Sequence, residues 1–177
     1  MVIVPGRPPT GMQVVVCSDT HVPSRAPAIP DWVRTVIVDA DHVVHAGDFD
    51  SRRAYETVKE LAEDLSAVRG NTDGDYGLAG VATADLAGVR FIVTHGKGPE
   101  AGYEDRVAAV LDDQTVAGQP TVGVAGHTHS VLDTRVDGAR LLNPGSATGA
   151  WPAQEATLMV ARVADGDVDV TVRQERP

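Results

Sequence analysis

Apolar residues fall in short blocks along this chain. Residues 14–18, 43–46, 65–69, 89–94 and 121–125 are each a nearly continuous run of strand length, the pattern of strands covered on both faces. Between them lie segments with helical spacing. Asp31, behind Pro30, is placed to cap a helix over 31–39 whose apolar positions include Trp32, Val33, Val36 and Ile37. Ser51 is placed to cap a second helix over 52–64, and Val107, Val110 and Leu111 mark the core face of a third over 104–116. Strand, helix, strand in succession implies parallel pairing. After residue 125 the rhythm changes to short strands around tight turns. Asp137-Gly138 and Asp165-Gly166 each separate two strand-like runs, 131–136 from 139–142 and 156–163 from 167–172. The pattern therefore predicts a parallel α/β half feeding a more antiparallel half, with the Gly-rich stretch 75–80 as a mobile loop at the rim.

Composition narrows the class. At 177 residues and 42% hydrophobic content, one domain with a full core is expected, with residues 1–11 as a loose extension dispensable for activity and 12–177 as the folded part. The single cysteine, Cys17, sits inside an apolar run and reads as a small core residue. No run approaches the roughly 20 apolar residues of a membrane span, and no signal-peptide pattern precedes the first strand, so a soluble cytoplasmic protein is expected. Net charge is −10 and only Lys59 and Lys97 are lysines, a balance that disfavours a nucleic-acid backbone as partner. The same bias suits either a high-salt cytoplasm or GC-rich coding.

The candidate chemistry lies where the apolar runs end. Ser18-Asp19-Thr20-His21, Gly47-Asp48, Gly70-Asn71-Thr72-Asp73, Thr94-His95-Gly96 and Gly126-His127-Thr128-His129 each follow a predicted strand. In open α/β sheets, sites form beyond the carboxyl ends of strands, where distant segments converge. If Asp19-Thr20-His21 and His127-Thr128-His129 are extended, their alternate side chains share a side and face one pocket. Asp19, His21, Asp48, Asn71, His95, His127 and His129 are too many for one tetrahedral ion. They suit two ions sharing a carboxylate, about 3.5–4 Å apart. Oxygen and imidazole donors together suit manganese, iron, zinc, nickel or cobalt without choosing among them; manganese is the first expectation, with magnesium also open.

In their order, D-x-H, G-D, G-N-x-D, H-G and G-H-T-H, these segments resemble the calcineurin-like metallophosphoesterase superfamily. With Asn143-Pro144-Gly145-Ser146 and the short length, they are most similar to its small prokaryotic YfcE-like phosphodiesterase branch. The resemblance implies a single-domain α/β fold, a four-layer α/β/β/α sandwich of two mixed sheets with the metal site at strand C-terminal ends. It also implies Asp19, His21 and His129 on one divalent ion, Asn71, His95 and His127 on the other, and Asp48 bridging. The implied activity is hydrolysis of a phosphate ester, a diester more than a monoester, by in-line attack of a metal-bridging hydroxide. Small or nucleotide-like esters are the implied substrates, and a homo-oligomer is compatible.

Two departures matter. Many relatives carry a histidine after the asparagine, thought to protonate the leaving group, where this chain has Thr72. Asp73 is the nearest ionisable substitute, so Asn71 and Asp73 are the candidate catalytic residues, a turn or ligand-holding role being the plain alternative for Asp73. Where small relatives read T-H-G-H, this chain has Lys97, a candidate contact for a substrate phosphate or simply an exposed loop lysine. His42 and His45 match no position and read as structural, with His45 the better candidate for supporting a ligand. Gly145-Ser146 lacks a nucleophile elbow and reads as a turn near the site. The rival readings are a non-catalytic protein-binding scaffold of the same fold, like the retromer small subunit, and a nuclease.

Overall fold

In a computed structural model of the chain, residues 11–175 are described; of the extension expected over 1–11, only Gly11 falls within them. Ten strands form two five-stranded sheets. β1 (Met12–Cys17), β2 (His42–His45) and β3 (Leu65–Ala67) run parallel, β9 (Thr157–Ala164) adds antiparallel to β1, and β10 (Asp167–Gln174) adds antiparallel to β9 at the edge. The second sheet has the order β4 (Val81–Leu86), β5 (Val89–Thr94), β6 (Thr121–Val124), β8 (Ala139–Pro144), β7 (Val131–Val136), with β5, β6 and β8 parallel.

Alternation along the strands builds the layers. Val14 and Val16 of β1 and Val44 of β2 face Phe91, Val93, Val124 and Leu142 of the other sheet. Val15, Cys17 and Val43 point the opposite way, onto α1 (Asp31–Val38) and α2 (Arg52–Leu61) through Val33, Ile37, Ala54 and Val58. Ile92, Ala125 and Leu141 meet Tyr103, Val107 and Leu111 of α3 (Tyr103–Gln114). The expected α/β/β/α sandwich is thus present, and Cys17 is a core residue whose thiol burial pushes up to about 12.

Ser51 caps α2 as expected, accepting from the Ala54 N–H at 3.1 Å. Asp31 does not cap α1: Pro30 holds the N-cap position and Asp31 begins the first turn. Asp137-Gly138 and Asp165-Gly166 are two-residue hairpin turns with both residues at positive φ. The division into a parallel half and an antiparallel half does not hold. The first hairpin stays in the second sheet, whereas β9 and β10 return to the first. β4 was absent from the expected strands. It is an alanine-rich edge strand joined to β5 by Ala87-Gly88, a hairpin lacking the usual Asn-Gly or Asp-Gly signal.

Candidate metal centre

All the ligand-type segments lie beyond the C-terminal ends of β1, β2, β3, β5 and β6, at one end of the sandwich, and main-chain bonds lock them together. The Asp19 N–H donates to the Gly47 carbonyl at 2.9 Å and the Gly126 N–H to the His95 carbonyl at 3.1 Å. Two glycines make the approach possible. A Cβ on Gly70 would collide with the Asp48 carboxylate, and one on Gly126 with the Ser18 hydroxyl and, at 2.6 Å, with Asp19 Oδ2.

The segments are not extended. Asp19, His21, Asp48, His127 and His129 all lie in the left-handed region, with φ between 45 and 75°. Such strain costs about 1–3 kcal/mol per residue and persists where the surroundings overdetermine it. It also redirects the side chains, so that His127 and His129 serve different clusters instead of one.

In the first cluster, His21 Nε2 lies 3.1 Å from His129 Nε2, and Asp19 Oδ1 lies 3.7 and 3.2 Å from those two nitrogens. In the second, Asn71 Oδ1 is 2.8 Å from His95 Nε2 and 2.9 Å from His127 Nδ1, which are 3.3 Å apart. Asp48 Oδ2 stands between the clusters, 3.5 Å from His21 Nε2 and 3.3 Å from His95 Nε2. The geometry therefore brings together all seven residues anticipated as ligands.

Their far sides are anchored. His21 Nδ1 bonds Asp50 Oδ1 at 2.8 Å, His95 Nδ1 the Ala46 carbonyl at 2.7 Å, His129 Nδ1 the Ala150 carbonyl at 2.8 Å, and His127 Nε2 the Gly98 carbonyl at 2.9 Å. A ring nitrogen donating to such an acceptor leaves the other nitrogen as a lone pair, the usual preparation of a metal-binding histidine. Two lone pairs then face each other at 3.1 Å in one cluster and 3.3 Å in the other. This is unfavourable unless a cation lies between them. Donor separations of 2.8–3.7 Å also match the polyhedron edges, about 2.9–3.5 Å, that metal–ligand bonds near 2.0–2.2 Å generate. The donor set fits divalent metals.

The carboxylates are prepared likewise. Asp19 Oδ2 accepts from Ser18 Oγ at 2.6 Å and from the His127 N–H at 3.0 Å, leaving Oδ1 toward the histidines. Burial alone would raise the Asp19 carboxyl, but His129 and His21 hold it below its ordinary range; Asp48 is lowered by His95 against the same burial. Burial works against charge on His21 and His95, but Asp19 and Asp50 around the first and Asp48 beside the second raise both.

Asp73 has a different geometry from that of a proton donor. Its oxygens accept four main-chain N–H bonds, from Asp48, Phe49, Asp50 and Gly70, at 2.7–3.0 Å. This is acceptor chemistry that holds the Asp48 loop, and it leaves the expected catalytic role without geometric support. The Thr72 hydroxyl donates to Asp50, and its N–H holds Asp48 Oδ1 at 2.9 Å. Asp50 escaped the sequence reading, although its place two residues after Asp48 is the signal that could have found it.

His45 supports the site indirectly: it bonds Thr20 Oγ1 at 2.8 Å, accepts the Gly47 N–H and stacks on Phe49, and burial lowers it to about 3. His42 bonds Ser66 at the other end of β2. Ser146 Oγ donates to the Asp19 carbonyl at 2.8 Å, a turn contact rather than a nucleophile's. Asn143, in the segment expected to pack near the site, donates to Tyr103 Oη, the Gly126 carbonyl and Thr128 Oγ1 behind the His127 loop. Lys97 is exposed on the loop after His95. Among the described residues, no helix is long and apolar enough to cross a membrane.

Known proteins resemble this chain in sequence and in fold. A "Probable metallophosphoesterase" of Methanothermobacter thermautotrophicus is 31% identical over 158 residues, covering 88% of each chain. The structure of a Thermotoga maritima protein is similar with TM-score 0.71 and 26% identity, over 93% of this chain and 99% of its own. A Vps29 of Entamoeba histolytica, solved with Zn2+ bound, aligns with TM-score 0.66 and 25% identity over 92% of this chain and 99% of its own. Residues 12–166 match the calcineurin-like phosphoesterase superfamily domain, and the chain belongs to that superfamily.

Proposed function

We propose that this chain is a two-metal phosphodiesterase of small or nucleotide-like esters, with Asp19, His21 and His129 holding one divalent ion, Asn71, His95 and His127 the other, and Asp48 shared. The observation that carries the reading is the pair of donor clusters whose histidine lone pairs face each other across Asp48 Oδ2. Manganese is our first choice of metal, and the zinc in the Entamoeba relative is compatible with the class. Two such ions, when bound, would supply a hydroxide nucleophile near neutral pH and positive charge for the phosphoryl oxygens.

The residues do the rest. Asn71 is exposed at the mouth of the second cluster, so its amide Nδ2 is available to a phosphate oxygen while Oδ1 faces the histidines. Asp73 and Gly70 hold the Asp48 loop, and Asp50 fixes the tautomer of His21. The leaving group finds no donor in Thr72, whose hydroxyl serves Asp50, or in Asp73, whose oxygens serve the main chain. Since proton transfer contributes about 10²–10⁴-fold, esters whose leaving groups depart without a proton are preferred. Aryl diesters should turn over well and alkyl monoesters poorly.

The test is metal content measured beside hydrolysis of bis(4-nitrophenyl) phosphate, with an alkyl monoester as comparison. Two manganese equivalents and a preference for the aryl diester are expected. A protein that takes up no manganese and hydrolyses neither ester contradicts the reading.

A further inference from the structure

A cavity of about 430 Å³ opens beside the second cluster, lined by His95 and Gly70 and by the basic residues Arg69, Lys97 and Arg106. No carboxylate lines it. In a chain of net charge −10, that concentration of positive charge is unexpected. The arginine ion pairs among the described residues are Arg90–Asp85 and Arg140–Asp133, so none of the three basic residues here is neutralised by a carboxylate within 4.0 Å.

The three cations have different freedom. Arg106 spends its guanidinium on the carbonyls of Lys97, Pro99 and Ala101, at 3.2, 2.6 and 3.1 Å, so it shapes the loop after His95 and leaves a fixed positive charge beneath it. Gly98, at φ +132°, lies against that guanidinium, which a Cβ would meet at 2.8 Å. Arg69 and Lys97 are exposed, and their head groups make no hydrogen bond among the described residues. Each lies two residues from a donor of the second cluster, Arg69 from Asn71 and Lys97 from His95, and two residues of chain span at most about 7 Å. Ala109 and Val110 form an apolar wall, where charge interactions are screened less than in open water.

We propose that this cavity is a subsite for a second, non-reacting phosphate, so that the preferred substrate is a phosphodiester carrying a phosphomonoester group within about one nucleoside's length of the scissile bond. Arg69 supplies a planar fork suited to phosphate, Lys97 a mobile point charge, and Arg106 the fixed background field. The reacting phosphate then lies at the metal ligands and the second anion in the cavity.

This inference rests on the phosphodiesterase reading of the neighbouring cluster, so the experiment has two readouts on the manganese-loaded full chain. The first is kcat/KM for thymidine 5′-(4-nitrophenyl phosphate) against the same ester phosphorylated on its 3′-hydroxyl. Wild type should prefer the phosphorylated ester by about tenfold, the value of one charged hydrogen bond. Arg69→Ala and Lys97→Ala should bring the preference toward one, and Lys97→Arg should retain it. The second is equilibrium dialysis against ³²P-labelled inorganic phosphate. Wild type should bind one equivalent more than the Arg69→Ala/Lys97→Ala double variant. No preference in wild type together with equal phosphate equivalents in the two proteins overturns the subsite. Loss of hydrolysis of both esters with the extra equivalent retained removes the phosphodiesterase reading and supports the subsite.

Discussion

Each donor cluster sets two histidines beside one oxygen donor, Asp19 in the first and Asn71 in the second, and the two differ in their surroundings. Asp19, His21 and His129 are at most 7% exposed, whereas Asn71 is exposed, His127 half-buried, and His95 lines a basic cavity. The first cluster is enclosed by the loop from Ser146 to Ala150, which bonds Asp19 and His129 from behind. The second opens toward solvent. In the proposed function the enclosed half is the anchor and the open half the face that meets substrate, and both depend on Asp48.

Breaking the shared element should have the largest effect. In Gly70→Ala the new Cβ displaces the Asp48 carboxylate, so both metals and all hydrolysis should be lost; in Gly126→Ala only the Asp19 half is struck, and one metal should remain. Metal analysis of the two purified variants separates these outcomes. Next comes Asp73→Ala, which leaves four N–H groups of the Asp48 loop without their acceptor. It should lower unfolding free energy by about 2–4 kcal/mol in urea denaturation, with water reaching part of the loop. Asp50→Asn should be milder and one-sided. Replacing the partner of His21 Nδ1 should weaken the enclosed metal site by about 10–100-fold in calorimetric titration and leave the open site's affinity as it was.

The most gradual effect concerns pH. Burial depresses His45 from 6.5 to about 3 in the folded protein. As pH falls below 6.5 the unfolded chain takes up this proton first, so the contribution is complete above 6.5 and drains away toward pH 3. The metal-free protein should lose about 1.4 kcal/mol per pH unit through this group. His45→Gln, which cannot take up that proton, should flatten the slope in thermal melts across the window.

Much of this contrast was legible in the chain, for identifiable reasons. Continuous apolar runs ending in Asp or His located the strands and the site, because buried parallel strands and ligands each demand particular residue types. The clusters' division followed from the family resemblance. Periodicity could not show the left-handed backbone at Asp19, His21, His127 and His129, since Asp and His tolerate that region without announcing it. Nor could it show β4, where small residues on an edge strand leave little apolar signal, or that β9 and β10 return to β1, because hairpin turns fix pairing within a hairpin and not the sheet it joins. Between the two roles open to Asp73, acid or loop holder, the motif could not choose, because its four partners are main-chain groups, invisible to any side-chain pattern.

The most direct test of two metals sharing Asp48 is anomalous diffraction from crystals of the manganese-loaded protein. Two peaks are predicted, one among Asp19, His21 and His129, the other among Asn71, His95 and His127, with Asp48 Oδ2 coordinated to both. A single peak, or two peaks with Asp48 bound to only one, would contradict the account.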